Sequence, residues 1–179
     1  MQHELYNWEQ LITSGQKLEM RKDIDNLIAL GKYWDNSPPY QTNVNIFGEH
    51  GEHWTNLKMS FIWSCFAYMK QERQIKSVKS WGYKTNKSTV EDRDNYWHQH
   101  IREGSTVLSG VYYLHLPIEE ENDLETAGTE LAPHGVKMGG YYAPWRDGHW
   151  LIFPGQTWHR PGVLACEEDR YIVAADMEF

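Results

Sequence analysis

Apolar side chains recur every three or four residues in two segments of the first half of the chain. Residues 18–30 carry Ile24, Leu27 and Ile28 in this spacing, and the segment stops at Gly31. Hydrophobic residues three and four positions apart share one face of a helix, and glycine commonly follows a helix end. The pattern therefore predicts an amphipathic helix over 18–30.

A second and longer helix is predicted over 54–76. Its apolar positions keep helical spacing and are Leu57, Phe61, Cys65, Tyr68 and Met69. A connection over 35–54, rich in proline, asparagine and glycine, precedes it. His50 and His53 lie in this connection beside glutamates, and we interpret them as residues of a solvated loop rather than as metal ligands.

From Lys76 onward the chain consists of short runs rich in valine, isoleucine, tyrosine and tryptophan, separated by turn-forming residues. The runs are SVKSWGYKT, TVLSGVYYLHLP, HWLIFPG and RYIVAADMEF. Such runs predict strands, and several strands with little helix between them indicate an antiparallel sandwich or jelly roll. We predict a mainly β (α+β) fold, a double-stranded β-helix whose N-terminal helices buttress one sheet. The 179 residues fit a single domain over 1–179, helical over 1–76 and jelly-roll over 77–179.

Composition excludes some classes of partner. The formal net charge is −8, whereas a nucleic-acid surface needs clustered lysine and arginine. No apolar stretch approaches the roughly 20 residues that span a bilayer, and the N-terminus has no signal-peptide pattern. We therefore expect a cytoplasmic protein without nucleic-acid or membrane partners. Cys65 and Cys166 are expected to be buried thiols rather than a disulfide or a metal cluster.

Candidate metal chemistry starts from the stretch WHQH. His98 and His100 are two residues apart, and in an extended chain such residues point to the same face. Both imidazoles can therefore converge on one metal ion. His159 follows the run HWLIFPG and a short turn, where a jelly roll brings later strands beside earlier ones. Arg170 opens the last run, and a guanidinium in a concave β site suits the capture of a carboxylate. The combination indicates a metal with an anionic ligand.

Four blocks of this sequence together resemble a known enzyme family. The blocks are WHQHIREGSTVLSGVYYLHLP, AGTELAPHG, GHWLIFPGQTWHRP and RYIVAADMEF. In order and spacing they resemble the Fe(II)/2-oxoglutarate-dependent oxygenases related to prolyl hydroxylases, of bacterial and phage type. YQTN at 40–43 and SWGYK at 80–84 are also similar, so the resemblance covers about residues 34–179, strongly after residue 95.

The resemblance implies Fe(II), 2-oxoglutarate as co-substrate and O2, and hydroxylation of a C–H bond. It implies that His98 and His159 are the catalytic metal ligands and that Arg170 pairs with the remote carboxylate of 2-oxoglutarate. Tyr113 stands where related hydroxylases place a tyrosine that supports the same carboxylate. The implied substrate is a peptidyl side chain such as proline, although a small molecule stays open as the alternative. His115 is two residues beyond Tyr113 and is expected to be either a cavity or a surface residue.

The sequence departs from the family at the third ligand. The usual pattern is His-X-Asp with a distant histidine, whereas this chain has His-Gln-His at 98–100. The favoured interpretation is a ligand set of His98, His100 and His159. Two others stay open, in which Glu103 curls back as the carboxylate, or water or a more distant acid such as Asp123 fills the position. The alternative functions are a cupin-like binding module and a three-histidine iron dioxygenase independent of 2-oxoglutarate.

Overall fold

The computed structural model describes residues 3–34, 40–86, 96–118, 123–164 and 166–179, apart from the side chains of Tyr40, Asp123 and Leu124. The helices are α1 (Ser14–Ala29), α2 (Glu52–Met69) and the single turn α3 (Asp123–Thr126), with short 3-10 helices at Ile46–Gly48 and Val136–Met138. The strands are β1 (Glu4–Asn7), β2 (Tyr40–Gln41), β3 (Ser77–Thr85), β4 (Val107–His115), β5 (Thr129–Ala132), β6 (Tyr141–Tyr142), β7 (His149–Pro154), β8 (Trp158–Pro161) and β9 (Arg170–Glu178).

These strands form two antiparallel sheets. The large sheet has the order β1-β7-β4-β9-β3-β2, and the small sheet has the order β6-β5-β8. Apart from β2 and β3, neighbouring strands of the large sheet are not consecutive in the chain, as crossovers between two facing sheets require. The predicted mainly β jelly-roll fold is confirmed.

The two long helices cover the outer face of the large sheet. Alternate side chains of β4, β7 and β9 meet apolar side chains of α1 and α2 in one buried cluster. Helix α2 comes so close that a Cβ atom on Gly110 of β4 would lie 2.6 Å from the Phe61 ring. Trp150 of β7 lies in this layer, and its indole N–H donates to the Ser60 hydroxyl of α2 at 2.8 Å. The helices therefore buttress one sheet, as predicted.

The opposite side chains of the same strands face the small sheet. A second buried cluster fills this space and is formed by Val111, Tyr113, Leu116, Ala127, Leu131, Ala143, Leu151, Phe153 and Leu164. On β9 the inward positions are Arg170, Ile172, Ala174 and Asp176, which alternate with outward apolar residues. Toward one end the interior opens into a cavity, and this cavity contains the candidate site.

Local structure differs from the predicted pattern at two places. Helix α2 ends at Met69, seven residues before the predicted end, because Lys70 adopts the left-handed conformation with φ of 58° and closes the helix. Glu4–Asn7 lies in the part expected to be helical but pairs as an edge strand with β7. A segment of four residues is too short to show a helical or strand period in its sequence, so its pairing with β7 determines its conformation.

Two further predictions concern the thiols and the membrane. Cys65 and Cys166 are buried thiols that are not joined in a disulfide, so the expectation of buried thiols is confirmed. Within the described ranges, no helix combines the length and the apolar character that crossing a bilayer requires.

Candidate metal centre and its cavity

The three predicted histidines lie on two backbone segments that are hydrogen-bonded to each other. His98 N–H donates to the carbonyl of His159 at 3.1 Å, and His159 N–H donates to the carbonyl of His98 at 2.9 Å. His100 N–H donates to the carbonyl of Gly155 at 2.7 Å. Gly155 is required at this position, because a Cβ atom there would lie 2.7 Å from the carbonyl oxygen of His100. The peptide backbone therefore fixes the spacing of the three side chains.

The three imidazoles converge at one end of the cavity. One nitrogen from each ring lies within 4.8 Å of the others. The ring centroids of His98 and His159 are 4.1 Å apart, and those of His98 and His100 are 5.1 Å apart. His100 and His159 are separated by 5.2 Å with nearly parallel planes. Three side chains in this arrangement can hold one metal ion.

Hydrogen bonds fix which nitrogen of His98 and of His159 keeps a lone pair for a ligand. Nδ1 of His98 is 2.8 Å from the carbonyl oxygen of Tyr96, and Nδ1 of His159 is 2.9 Å from that of Thr157. A carbonyl oxygen only accepts, so each Nδ1 carries the hydrogen and each Nε2 keeps its lone pair. Burial lowers the pKa of both histidines, and that of His159 falls well below its ordinary value. Both rings are therefore neutral near pH 7, which is the form that binds metals.

His100 is held by a carboxylate instead of a carbonyl. Its Nδ1 lies 2.5 Å from Oδ2 of Asp176, whose Oδ1 accepts the hydroxyl of Ser109 at 2.8 Å. The imidazole also stacks on the indole of Trp81, with ring centroids 5.7 Å apart and planes inclined by 11°. The edge and one face of the ring are thus both supported.

Arg170 is deeply buried, with an exposed fraction of 2 %, and it lines the same cavity. Its Nε donates to the Thr85 hydroxyl at 2.9 Å. Its Nη1 donates to the carbonyls of Ala127 at 2.6 Å and Gly162 at 3.2 Å. These acceptors orient the guanidinium plane. Because a buried site has a low dielectric, the attraction between this guanidinium and an anionic ligand in the cavity would be strong.

Tyr113 lies beside this guanidinium on β4. Its hydroxyl shares a 3.0 Å hydrogen bond with the Thr129 hydroxyl. Burial raises the pKa of Tyr113, while the nearby positive charge of Arg170 acts in the opposite direction. The phenol is therefore protonated near pH 7 and can donate a hydrogen bond to a bound anion.

The cavity has a volume of about 410 Å³ and joins the histidine cluster to Arg170 and Tyr113. Phe153 and Ile172 contribute apolar wall to the same cavity. Ligand pockets typically combine such walls with a few polar groups of fixed orientation. The space is therefore suited to a small anionic ligand that reaches from the guanidinium to the metal position.

The other candidates lie outside this cluster. Glu103 is exposed in the turn before β4, and the described residues that group with His98 are only the other two histidines. The side chain of Asp123 lies outside the described residues. His50 is exposed, whereas the interpretation of His53 as a solvated loop residue is wrong: it lies half-buried in the first turn of α2, with its Nε2 hydrogen-bonded to Asp23 at 2.8 Å. His115 pairs with Glu168 at 3.0 Å and does not line the cavity.

Comparison with known proteins gives matches in structure but not in sequence. No family model matches the chain, and a search of curated proteins gives no match. AviO1 from Streptomyces viridochromogenes Tue57 is 12% identical, with a TM-score of 0.67 over 99% of this chain and 90% of that one. A prolyl hydroxylase from Trichoplax adhaerens, in complex with a hypoxia inducible factor peptide fragment, is 13% identical, with a TM-score of 0.61 over 99% and 83%.

A third match carries ligands. HygX from Streptomyces hygroscopicus, with nickel, 2-oxoglutarate and hygromycin B bound, is 10% identical and has a TM-score of 0.62 over 98% of this chain and 82% of its own. The chain has the fold of the 2-oxoglutarate-dependent oxygenases. At identities of 8–13%, these structural matches establish the fold and do not establish the substrate.

The oxygenase fold also places residues in the site that the motifs did not indicate. Asp176 is the most important of them, and Thr85 and Thr129 orient Arg170 and Tyr113. One signal was present for Asp176. It lies six residues after Arg170, so both are inward positions of the same alternating strand, where an acid is unusual.

Proposed function

We propose that this protein is an Fe(II)- and 2-oxoglutarate-dependent dioxygenase that hydroxylates a C–H bond. The observation that carries the proposal is the joint presence, in one cavity of an oxygenase fold, of three imidazoles directed at one point and a buried guanidinium. The first group supports a metal ion, and the second supports an anionic co-substrate.

The donor set fits Fe(II). Neutral imidazole is a good ligand for divalent iron, and three of them on one side leave the remaining positions of an octahedral ion for other ligands. When bound, the iron and 2-oxoglutarate supply the oxidising chemistry, in which 2-oxoglutarate, O2 and a substrate C–H give succinate, CO2 and a C–OH. We assign His98, His100 and His159 as the ligands of the iron.

The protein itself supplies binding and orientation. Arg170 binds the remote carboxylate of 2-oxoglutarate through charge-assisted hydrogen bonds, and Tyr113 donates a further hydrogen bond to it. The hydrogen bonds from Arg170 to Thr85 and Ala127 hold the guanidinium in place before the ligand arrives. Apolar walls such as Phe153 exclude water from the reacting end of the cavity.

The substrate that we propose is a peptidyl side chain such as that of proline. The similarity to prolyl hydroxylases, one of them solved with a peptide, supports this class. Trp81, Tyr83 and Tyr96 line the cavity near the histidines, and their rings suit packing against a saturated ring. The TM-score of HygX, which was solved with hygromycin B, is 0.62 and is similar to that of the Trichoplax prolyl hydroxylase, 0.61. Hygromycin B is therefore the first small molecule to compare with peptides.

The three-histidine set also favours a second candidate, an iron dioxygenase that needs no 2-oxoglutarate. Arg170 separates the two, because 2-oxoglutarate has a remote carboxylate that a guanidinium binds, whereas the second candidate uses no such ligand. An anaerobic titration with Fe(II) and then 2-oxoglutarate is expected to produce a visible charge-transfer band. Admission of O2 is then expected to release succinate. His98→Ala should abolish the band, while the matched variant His50→Ala, at an exposed histidine, should retain it.

Failure of 2-oxoglutarate to change the spectrum of the Fe(II)-loaded protein would favour the second candidate. Failure to bind Fe(II) would leave only a binding module that uses the cavity without a metal. Proline-containing peptides and hygromycin B are then compared by the extra succinate they elicit over the rate without a substrate. A response to hygromycin B alone would replace the peptidyl substrate by a small molecule.

A further inference from the structure

Asp176 is a buried carboxylate next to a proposed metal ligand. It lies on the inner face of β9, directly across the β4–β9 pair from Ser109, and its exposed fraction is 9 %. Its oxygens accept from His100 Nδ1 and from the Ser109 hydroxyl. A buried carboxylate is costly unless an opposite charge balances it, and a metal ion bound by His100 would supply that charge close by.

We propose that Asp176 is a positioning residue that supplies, through His100, the negative charge missing from the three-histidine ligand set. This inference rests on the proposed iron site. The common facial triad has two histidines and one carboxylate, so with Fe(II) it carries a total charge of +1. Three neutral histidines with Fe(II) carry +2, and inclusion of Asp176 restores +1. In this arrangement a carboxylate is still present, but Asp176 contacts the proposed ligand His100 rather than the metal itself.

The contacts of His100 show how this charge reaches the metal position. Asp176 accepts the Nδ1 hydrogen, so the lone pair of His100 is on Nε2, and the neighbouring carboxylate makes that lone pair a stronger donor. The indole of Trp81 lies parallel to the ring and prevents it from turning about its χ2 bond. His98 and His159 instead donate to backbone carbonyls. His100 is therefore the one member of the group that is tied to a charged partner.

The test compares metal binding by variants in the absence of 2-oxoglutarate. Asp176→Asn keeps the size and an acceptor oxygen but removes the charge. We expect it to weaken Fe(II) or Co(II) binding by about 10- to 100-fold, the usual effect of losing an outer carboxylate partner. We also expect the Fe(III)/Fe(II) midpoint potential to rise. Ser109→Ala keeps the charge and removes only one hydrogen bond to the carboxylate, so it should weaken metal binding less than Asp176→Asn does and leave the midpoint potential closer to that of the natural protein.

A double-variant cycle separates electrostatics from structural support. His100→Asp introduces a carboxylate directly at the ligand position, where a second carboxylate from Asp176 is superfluous and repulsive. Asp176→Asn is therefore expected to weaken metal binding in the natural background and to leave it unchanged or strengthen it in the His100→Asp background. An equal loss in both backgrounds, or no change in the midpoint potential, would overturn the proposed role of Asp176.

A measurement on the natural sequence covers the case in which Asp176→Asn does not fold. In the zinc-loaded protein the Nδ1–H proton of His100 should resonate well downfield of those of His98 and His159, because only His100 donates to a carboxylate. Three similar shifts would overturn the proposal. If the natural protein bound no divalent metal at all, the proposed oxygenase function would fail together with it. Normal metal binding by Asp176→Asn would remove the role of Asp176 alone.

Discussion

Replacement of Arg170 by lysine tests the proposed co-substrate site without removing its charge. Among the described residues, the guanidinium donates from Nε to Thr85 and from Nη1 to the carbonyls of Ala127 and Gly162. Lysine has a single ammonium group, which cannot keep these contacts and present a planar fork to a carboxylate. The variant is therefore expected to lose directional bonding while the local charge stays the same.

The expected loss of affinity follows from the number of bonds. A hydrogen bond to a charged group contributes about 1.5–3 kcal/mol, and the loss of one such bond to the remote carboxylate corresponds to about 10- to 150-fold in Kd. Stability should fall as well. The buried carbonyls of Ala127 and Gly162 lose their donor. Each carbonyl that finds no new donor is expected to lower the free energy of unfolding by about 1–3 kcal/mol.

The assay is an anaerobic calorimetric titration of 2-oxoglutarate into Fe(II)-loaded protein, accompanied by urea denaturation. Arg146→Lys is the matched control, since Arg146 is exposed and does not line the cavity. The control should bind 2-oxoglutarate like the unsubstituted protein. Unchanged affinity in Arg170→Lys would refute the assignment, and Tyr113→Phe would then be the next variant to measure.

Three other predictions concern the histidine cluster. His100→Asp is expected to keep iron binding and turnover, whereas His100→Ala should lose much of both; tolerance of alanine in a metal titration would contradict the three-histidine set. Burial lowers the pKa values of His98 and His159, so the unfolded apoprotein binds more protons than the folded one at low pH. The stability of the apoprotein should therefore fall as the pH drops below the ordinary histidine pKa of about 6.5. Urea denaturation at about pH 7.5 and 5.5 checks this, and a flat profile would contradict it. Gly155→Ala should destabilise the protein by about 1–3 kcal/mol through overpacking and weaken metal binding, while Gly48→Ala, where an added Cβ meets nothing within 4 Å, should do neither.

Strands with a clear period were predictable from sequence. The run RYIVAADMEF alternates inward and outward positions, and β9 is observed over Arg170–Glu178. The shared face of His98 and His100 is also a local property, since it follows from a spacing of two residues in an extended chain. Local pattern is sufficient wherever one face of an element is buried along its whole length.

Contacts between distant segments could not be predicted in this way. The alternation of β9 places Asp176 on the inner face, but nothing near it in sequence shows that its partner is His100, 76 residues earlier. His159 follows a short turn, as predicted, but β8 is only four residues long and shows no period, so its pairing with β5 in the small sheet could not be predicted from sequence. In both cases the neighbouring segment, rather than the local sequence, determines the environment of the side chain.

The backbone pairing of His98 with His159 has a consequence for the adaptability of the metal site. Because these two donors are joined by reciprocal peptide hydrogen bonds, their separation does not depend on the identity of the third side chain. A substitution at position 100 can thus change the type of metal ligand, while the backbone pairing that holds His98 and His159 stays the same. Variants with Asp, Glu or Cys at this position, compared with the natural His100, would show how the third ligand changes metal preference within an unchanged scaffold.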